Sequence, residues 1–446
     1  MKYNINLTRN KKMNELLVSK LNSKSASIGV IGLGYVGLPL ALVYSQKGYK
    51  VIGIDSQESK VNLINEGNSF IKHIPDTEIG RAKDKGLEAT TNFSRLTEVD
   101  AIIICVPTPL NEYREPDLSY VIQSTESILP YLRKDQVVCL VSTTYPGTTE
   151  EELLPRIEST GLKVGKDIFL VYSPEREDPG NKNFKTGTIP KVVGGFSDEC
   201  LEVGLALFGK VIDKLVPVSS LKVAEITKLL ENIYRAVNIG LVNDMKKITD
   251  RMEIDIFEVI NAAASKPFGF KPFFPGPGLG GHCIPIDPFY LSWKSRQYGI
   301  YSHFIELAGE INSEMPDWVV GKISDALNDN SKSIKGSKIL VLGLGYKKDV
   351  DDMRESPSVT IINKLIEKGA IIDFSDPYID HYSDPLYPEE KLRNIKINKE
   401  TLSTFDLTVL VTDHTSFDIK LIEDNAKIIV DTRGVFSLKS KKVYRA

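Results

Sequence analysis

The sequence has few cysteines and nearly equal numbers of acidic and basic residues. Its 446 residues include four cysteines, none in a CxxC pair, so it predicts neither a zinc site nor a disulfide framework. The net charge of -3 predicts no nucleic-acid partner and no membrane partner. No apolar run approaches the roughly 20 residues of a membrane span, and residues 1–24 lack the apolar core of a secretory signal. We therefore expect a cytoplasmic protein with no bound metal.

A glycine-rich turn follows the first strand-like run. Gly32, Gly34 and Gly37 form a GxGxxG pattern between the apolar residues 28–31 and a helical stretch. Two of the glycines let backbone amides approach a pyrophosphate, and the third lets the helix pack closely on the sheet. Asp55 ends the next strand, where a carboxylate binds an adenosine ribose diol and repels a 2′-phosphate. The pattern predicts an NAD site, with a glycine turn that binds no ligand as the alternative.

Strand-like runs and helical patterns alternate in two separate parts of the chain. Segment 339–346 (ILVLGLGY) resembles 28–35 (IGVIGLGY), but the first continues to Gly37, whereas the second continues to Lys347 and Lys348. This near-repeat predicts two nucleotide sites of different character. Since the length exceeds one hydrophobic core, we expect an α/β fold with two Rossmann-like, doubly wound parallel-sheet domains joined by a central helical domain. The predicted bounds are an N-terminal extension at 1–24 and domains at 25–218, 219–327 and 328–446.

A Gly- and Pro-rich segment, 273–288, contains the fourth cysteine. Such a composition predicts a rigid, special backbone that exposes a thiol beside a close-approaching ligand. Cys283 is the candidate nucleophile and Asp287 a nearby acid or base. A buried loop cysteine is the alternative. Cys105 and Cys139 lie in apolar strand runs, so we expect them in the core.

Two charged patterns have both a functional and an ordinary interpretation. Lys228 and Asn232 lie one turn apart on a long predicted helix, either aimed at a developing oxyanion or on a solvated helix face, which is the usual outcome. Lys347 and Arg354 follow the second glycine turn, and Arg433 follows the last strand. Fixed cations there suit a diphosphate, whereas the alternative is a charged surface loop.

From about Ser25 onwards the chain resembles the UDP-glucose/GDP-mannose dehydrogenase family, closest to its UDP-N-acetylglucosamine 6-dehydrogenase branch. The segments that carry the resemblance, in the family's order, are GLGYVGLPL, CVPTPL, STTYPGTT, YSPEREDPGN, AEITKLLENIYRAVNIGLVND, PGPGLGGHCIPIDP and YKKDVDDMRESPS. It implies an NAD-binding domain, a central helical dimerisation domain and a UDP-sugar-binding domain, hence NAD as cofactor, a UDP-sugar as substrate and a homodimer or higher oligomer.

The resemblance also implies roles for single residues. The implied catalytic residues are the nucleophile Cys283, the oxyanion-stabilising Lys228 and Asn232, their partner Asp287, and Thr143 and Glu175. The implied cofactor contacts are Gly32, Gly34, Tyr35, Val36, Gly37, Asp55, Lys60, Pro107, Thr108, Thr143 and Arg354. The implied substrate contacts are Glu175, Lys228, Asn232, Phe274, Gly278, Gly280, Lys347 and Arg433.

Two positions depart from the UDP-glucose branch. Pro179 stands where that branch has a second Glu, and the segment 266–271 (KPFGFK) replaces an Arg that reaches the neighbouring subunit. Both departures favour an acetamido sugar. We therefore expect NAD-dependent, four-electron oxidation of the C6 alcohol of a UDP-N-acetylhexosamine, UDP-N-acetylglucosamine first, with UDP-glucose or UDP-N-acetylmannosamine as alternatives. The rivals are a single-step β-hydroxyacid-type dehydrogenase and a non-catalytic NAD-binding module.

Overall fold

The computed structural model describes residues 14–71, 74–176, 186–281, 284–382, 384 and 392–446. The chain divides into two compact units. Unit 1 comprises Met1–Glu231 and Trp293–Tyr298, and unit 2 comprises Asn232–Ser292 and Gly299–Ala446.

Unit 1 contains an eight-stranded sheet in the order β3-β2-β1-β4-β5-β6-β7-β8. The strands are β1 (Ser27–Ile31), β2 (Lys50–Ile54), β3 (Leu87–Thr90), β4 (Ala101–Ile104), β5 (Val137–Leu140), β6 (Phe169–Tyr172), β7 (Lys191–Gly195) and β8 (Leu215–Val218). Among the described strands of this sheet, β6 and β7 form the one antiparallel pair. The central strands β4 and β5 are apolar and buried throughout, which is typical of a parallel sheet covered on both faces.

The helices of unit 1 flank this sheet. They are α1 (14–23), α2 (Gly37–Gln46), α3 (Glu58–Glu66), α4 (Asp76–Asp84), α5 (Ser119–Ile128), α6 (Leu154–Ser159) and α7 (Asp198–Phe208). Helix α1 lies in the predicted N-terminal extension and packs Leu17 and Leu21 into the core of the sheet. Its Lys20 Nζ lies 3.1 Å from Asp100 Oδ1. Residues 1–13 of the extension lie outside the described residues.

The predicted central region is helical. Its elements are α8 (Leu221–Arg251), α9 (Ile256–Ala263), α10 (Asp287–Arg296) and α11 (His303–Asp329). Helix α8 belongs to unit 1 up to Glu231 and to unit 2 from Asn232. Within the described ranges, every helix is too short or too polar to pass through a bilayer.

Unit 2 ends in a five-stranded, wholly parallel sheet in the order β10-β9-β11-β12-β13. Its elements are β9 (Lys338–Leu342), α12 (Pro357–Glu367), β10 (Ile371–Ser375), α13 (Lys399–Thr404), β11 (Leu407–Leu410), α14 (Ile419–Asn425), β12 (Ile429–Asp431) and β13 (Val443–Arg445). The predicted fold class, two parallel-sheet α/β regions and a helical centre, is confirmed. The predicted domain bounds stay a prediction.

Candidate active site

The first glycine turn forms an open cradle between β1 and α2. Gly32 has φ +86°, and a Cβ on Gly37 would lie 1.9 Å from the Gly32 carbonyl oxygen, so the turn accepts no side chain at Gly37. A Cβ on Gly34, in contrast, would meet nothing within 4 Å. The first turn of α2 carries no acidic residue and its N-cap Val36 makes no side-chain cap. The first backbone N–H groups of a helix have no acceptor within the helix, so this N-terminus fits a dinucleotide pyrophosphate.

Asp55 is fixed beside this turn. One of its carboxylate oxygens accepts a hydrogen bond from Leu33 N–H and the other from Gln57 N–H, both at 2.9 Å. Lys60 Nζ lies 3.9 Å from Oδ2. Each carboxylate oxygen can accept more than one hydrogen bond, so both oxygens of Asp55 can still accept one from a ribose hydroxyl. The residues that sequence alone predicts for NAD lie next to each other in unit 1.

The other predicted cofactor residues of unit 1 lie at the same edge of the sheet. They follow the carboxyl ends of parallel strands: Tyr35 and Val36 after β1, Lys60 in α3 after β2, Pro107 and Thr108 after β4, and Thr143 after β5. Ligands of doubly wound sheets bind at this edge because the loops after adjacent parallel strands meet there. Arg354 belongs to unit 2, where its guanidinium pairs with Asp352 at 2.6 Å.

We expect Asp55→Ala to weaken NAD binding and to relax the preference for NAD over NADP. The carboxylate that binds the ribose diol and repels a 2′-phosphate is then lost, at a cost of about 1.5–3 kcal/mol for hydrogen bonds to a charged group. Titration calorimetry with both dinucleotides measures this change, and Asp55→Asn separates the loss of charge from the loss of the side chain. An unchanged preference for NAD in both variants would contradict the ribose role.

Lys191, to which the sequence analysis gave no role, keeps Glu175 ionised. Lys191 Nζ donates to Glu175 Oε2 at 2.9 Å and to the Pro174 carbonyl at 3.3 Å, and both charged side chains are almost inaccessible to solvent. Burial alone would raise the pKa of Glu175, but Lys191, the Arg176 N–H and the charge of Lys228 together hold it below its ordinary value. Glu175 is therefore ionised at neutral pH and accepts hydrogen bonds rather than donating them. The available signal was Lys191 at the start of an otherwise apolar strand.

Helix α8 buries its polar face. Lys228 and Asn232 are 6% and 5% exposed, so the usual interpretation of a solvated helix face is wrong for both. Asn232 Nδ2 donates to Asp287 Oδ2 at the start of α10, within unit 2. Asp287 is 2% exposed, so this pairing gives Asn232 one orientation.

Glu225, one turn before Lys228, connects α8 to the loop that contains Thr143. Its carboxylate accepts hydrogen bonds from Thr149 N–H at 2.9 Å, from the Thr149 hydroxyl at 2.7 Å and from Gly147 N–H. Burial raises the pKa of Glu225 to about 7 despite these donors. Sequence reasoning gave Glu225 no role, since the pairing joins residues far apart in the chain.

The Gly- and Pro-rich loop packs against the second sheet's domain within unit 2. Gly281 N–H donates to the Arg354 carbonyl at 3.3 Å, and Cβ atoms on Gly280 and Gly281 would lie within 2.7 Å of Tyr346. Gly278 has φ +132°. Phe274, at the other end of the loop, is half exposed. The glycines are therefore required by this close packing.

The candidate nucleophile itself lies outside the described residues, as does the segment 177–185 that contains Pro179. The other three cysteines are buried, which confirms the predicted core positions of Cys105 and Cys139. Burial raises the pKa of Cys139 to about 12, so its thiol is unreactive at neutral pH. No group of three or more potential metal ligands occurs in the part of the chain that the structure describes.

The second glycine turn is closed by its own chain. A Cβ on Gly345 would lie 2.7 Å from the Val350 carbonyl. Asp376, which follows β10 as Asp55 follows β2, accepts from Leu344 N–H at 2.7 Å and contacts His414 Nε2 at 3.0 Å. The two turns therefore differ, and a nucleotide in this domain requires side chains in place of an open glycine cradle.

Two cationic side chains of unit 2, Lys347 and Arg433, could bind the phosphates of a nucleotide in this domain. Lys347 and Arg433 are half-buried, and Arg433 uses Nε for the Val411 carbonyl at 2.7 Å. A Cβ on Gly276 would lie 2.8 Å from Arg433 Nη1, so the glycine makes room for the guanidinium. The structure thus brings Arg433 to the predicted substrate loop.

We expect Lys347→Ala to raise the KM for the UDP-sugar and to leave the KM for NAD unchanged. Loss of a hydrogen bond to a charged group costs about 1.5–3 kcal/mol, which is roughly 10- to 100-fold. The matched control is Lys348→Ala, because Lys348 is exposed and pairs with Asp413 at 3.2 Å. Steady-state kinetics against each ligand measures the effect. A change confined to the NAD KM would mean that the two nucleotide sites are exchanged.

Comparisons with known proteins match nearly the whole chain. Three models of the UDP-glucose/GDP-mannose dehydrogenase family match in order: the NAD binding domain over residues 26–212, the central domain over 222–314 and the UDP binding domain over 340–438. The UDP-N-acetyl-D-glucosamine 6-dehydrogenase of Pseudomonas aeruginosa is 36% identical over 80% of this chain and 84% of that protein.

Relatives with a second substrate match equally well. The UDP-N-acetyl-D-mannosamine dehydrogenase of Methanococcus maripaludis is 33% identical over 92% of both chains. Among solved structures, the UDP-D-ManNAc dehydrogenase of Pyrococcus horikoshii superposes with a TM-score of 0.83 at 29% identity, covering 94% of this chain and 98% of that one.

Proposed function

The chain belongs to the UDP-glucose/GDP-mannose dehydrogenase family, and from that premise we propose that it oxidises the C6 alcohol of a UDP-N-acetylhexosamine to the uronic acid. It is an NAD-dependent nucleotide-sugar dehydrogenase, with an NAD-binding domain and a UDP-binding domain. The observation that carries the proposal is the ionised, buried Glu175 in the same unit as an open dinucleotide turn. We further propose that it acts in the cytoplasm.

The proposed reaction removes four electrons through a covalent intermediate. NAD+, when bound, would supply the hydride acceptor: one molecule for the alcohol and a second molecule, after exchange, for the covalent adduct. The Cys283 thiolate adds to the aldehyde and forms a thiohemiacetal, which loses the second hydride and becomes a thioester. Water then releases the carboxylate and restores the thiol. Covalent capture retains the aldehyde and creates the sp3 carbon from which the second hydride leaves.

Buried polar groups support the charges that this chemistry develops. Lys228 and Asn232 would donate to the oxyanions of the two tetrahedral carbons, where each donor contributes roughly 10²- to 10³-fold. Asp287 orients Asn232 through their hydrogen bond. Glu175, kept ionised by Lys191, would accept a proton or a hydrogen bond from the attacking water.

The proposed substrate is UDP-N-acetylglucosamine, with the manno epimer as the nearest alternative. Relatives named for both sugars are similar to this chain at about the same identity, 36% and 33%. The absence of the second Glu at Pro179 favours an acetamido sugar over UDP-glucose. A panel of UDP-sugars assayed for NADH formation by the purified protein tests this choice, and the substrate with the highest kcat/KM decides it.

The count of NADH per sugar distinguishes the proposal from its rivals. Four-electron oxidation yields two NADH per uronic acid, whereas a single-step dehydrogenase yields one NADH and an aldehyde or ketone. A non-catalytic NAD-binding module yields none with any UDP-sugar. A ratio of one would therefore overturn the covalent mechanism.

We also propose that the protein is at least a homodimer, assembled through α8. This helix exposes an apolar stripe on the face opposite to its buried polar residues: Val223, Ile226, Leu230, Tyr234 and Leu241. Contiguous exposed apolar surface marks interaction sites in soluble proteins. Light scattering should give a mass of at least twice the 49.7 kDa of one chain, and the mass of a single chain would contradict the proposal.

A further inference from the structure

Lys246 is a buried lysine of α8 that has no hydrogen-bond partner in the part of the chain that the structure describes. The residue is 2% exposed, and Nζ makes no hydrogen bond to any described group. Transferring an ammonium from water into a protein interior is costly unless it is paired, and buried polar groups without a partner are rare in native proteins. The position of Lys246 therefore requires a functional explanation.

The carboxylates that face Lys246 are committed to other donors. Lys246 interacts electrostatically with Asp431, Arg433, Arg445 and Asp250. Asp431, which is fully buried, accepts hydrogen bonds from three backbone N–H groups and from Arg445: the N–H groups are those of Arg433, Gly434 and Phe436.

The second carboxylate, Asp250, pairs with Lys322 at 2.6 Å. Arg445 also lies 3.2 Å from Asp255, so that carboxylate too has a cation of its own. Arg433 also faces Asp413, but that carboxylate pairs with Lys348 at 3.2 Å. Among the described residues, protonated Lys246 and Arg433 are therefore cations without a carboxylate of their own. This part of unit 2 therefore attracts an anion.

The cluster of charged residues, which consists of Lys246, Asp250, Asp431, Arg433 and Arg445, lies beside the Gly- and Pro-rich loop. Asn243, one helical turn before Lys246 on α8, accepts a hydrogen bond from Gly276 N–H at 3.0 Å. Gly276 in turn lies against Arg433 Nη1. Lys246 thus belongs to a helix face that contacts the loop, and the loop contacts a residue of the segment matched by the UDP binding domain.

We propose that Lys246 is a nucleotide-binding residue of the central helix, and that its ammonium binds the diphosphate of the UDP-sugar together with Arg433. The assignment rests on the proposed function, because it takes the UDP-sugar as the ligand. A diphosphate supplies the charge-assisted hydrogen bonds that Nζ lacks in the unliganded protein. It also neutralises the excess positive charge of the cluster.

Binding of a diphosphate at Lys246 changes the protonation of its side chain. Burial, with the repulsion of Arg433 and Arg445, lowers the pKa of Lys246 to about 7, although Asp431 and Asp250 oppose the shift. Binding of an anion raises this pKa again. Above pH 7 the unliganded lysine is largely neutral, so nucleotide binding takes up a proton. The affinity for the nucleotide is therefore greatest below the pKa of Lys246 in the unliganded protein. It falls as the pH rises from that value toward the pKa of Lys246 in the complex.

Calorimetry with UDP-N-acetylglucosamine in the absence of NAD tests the assignment, since this diphosphate has no ionisation of its own near neutral pH. Repeating the titration in buffers of different ionisation enthalpy gives the proton uptake of the wild-type protein directly. We expect Lys246→Met to lose that uptake and to bind the nucleotide about 10- to 100-fold more weakly, as for a lost hydrogen bond to a charged group. NAD affinity should not change.

The thermal stability of the unliganded variant provides a second readout. Lys246→Met should melt at the same temperature as the wild type or higher, because an apolar side chain of similar length removes an unpaired buried charge. A purely structural lysine would show the opposite pattern, a lower melting temperature with unchanged nucleotide affinity. The matched control is Lys247→Met, since Lys247 pairs with Glu314 at 2.9 Å and should leave both measurements unchanged.

Two results would overturn the assignment, and they are distinguishable. Wild-type affinity and wild-type proton uptake in Lys246→Met would remove Lys246 from the nucleotide site and leave the proposed function intact. A wild-type protein that binds NAD but no UDP-sugar would overturn the proposed function and this assignment together. If the variant fails to fold, the absence of proton uptake by the wild-type chain would overturn the assignment by itself.

Discussion

Cys283→Ser should reduce uronic acid formation by orders of magnitude while leaving the protein folded and able to bind both ligands. A serine hydroxyl ionises far less readily than a thiol at neutral pH, so capture of the aldehyde and the second oxidation become very slow. The first hydride transfer requires no thiol. The variant should therefore release traces of aldehyde or retain a slowly hydrolysed ester adduct.

Mass spectrometry of the variant after incubation with substrate and NAD detects such an adduct. The matched control is Cys200→Ser, because Cys200 is buried in α7 and its Sγ already accepts a hydrogen bond from Leu170 N–H at 3.4 Å. That control should keep two NADH per sugar. Wild-type production of uronic acid by Cys283→Ser would refute the covalent mechanism and leave Cys283 as a structural loop cysteine.

Lys191→Met should destabilise the protein by about 3–5 kcal/mol, because it leaves Glu175 as an unpaired charge in a buried position. It should also slow turnover by roughly 10²-fold, the usual lower contribution of a positioned acid or base. In the wild type the lowered pKa of Glu175 contributes stability above its unfolded pKa, and that contribution is lost as the pH falls through the folded pKa. The deficit of the variant should therefore be greatest at neutral pH and smaller in acid.

Denaturant unfolding at several pH values measures this difference. The double variant Lys191→Met/Glu175→Gln should recover much of the stability, since neither buried charge remains, although it should not recover activity. Lys134→Met is the control for an exposed pair: Lys134 lies 2.7 Å from Asp167 but is 62% exposed, so we expect a change below about 1 kcal/mol. An equal loss of stability in Lys191→Met and Lys134→Met would mean that the buried pair contributes no more than an exposed one.

The sequence by itself determined the features that short segments encode. The strand, glycine turn, helix and following Asp55 form a local pattern, because backbone approach to a pyrophosphate requires glycine at fixed spacings. The near-repeat at 339–346 and the apolar runs predicted two parallel-sheet domains, since buried parallel strands read as continuous apolar segments. Short strands such as β8, which contains Pro217, had no comparable signal.

The tertiary structure alone decided which polar groups became buried and what they pair with. Helical periodicity separates the two faces of α8 but does not state which face meets the rest of the protein, and here the polar face with Lys228 is the buried one. The pairing of Lys191 with Glu175 joins the start of β7 to the segment that follows β6. The closure of the second turn around Gly345 and the unpartnered Lys246 depend equally on distant segments. The charge state of each such group follows from its desolvation and its neighbours, which are set only once the chain is folded.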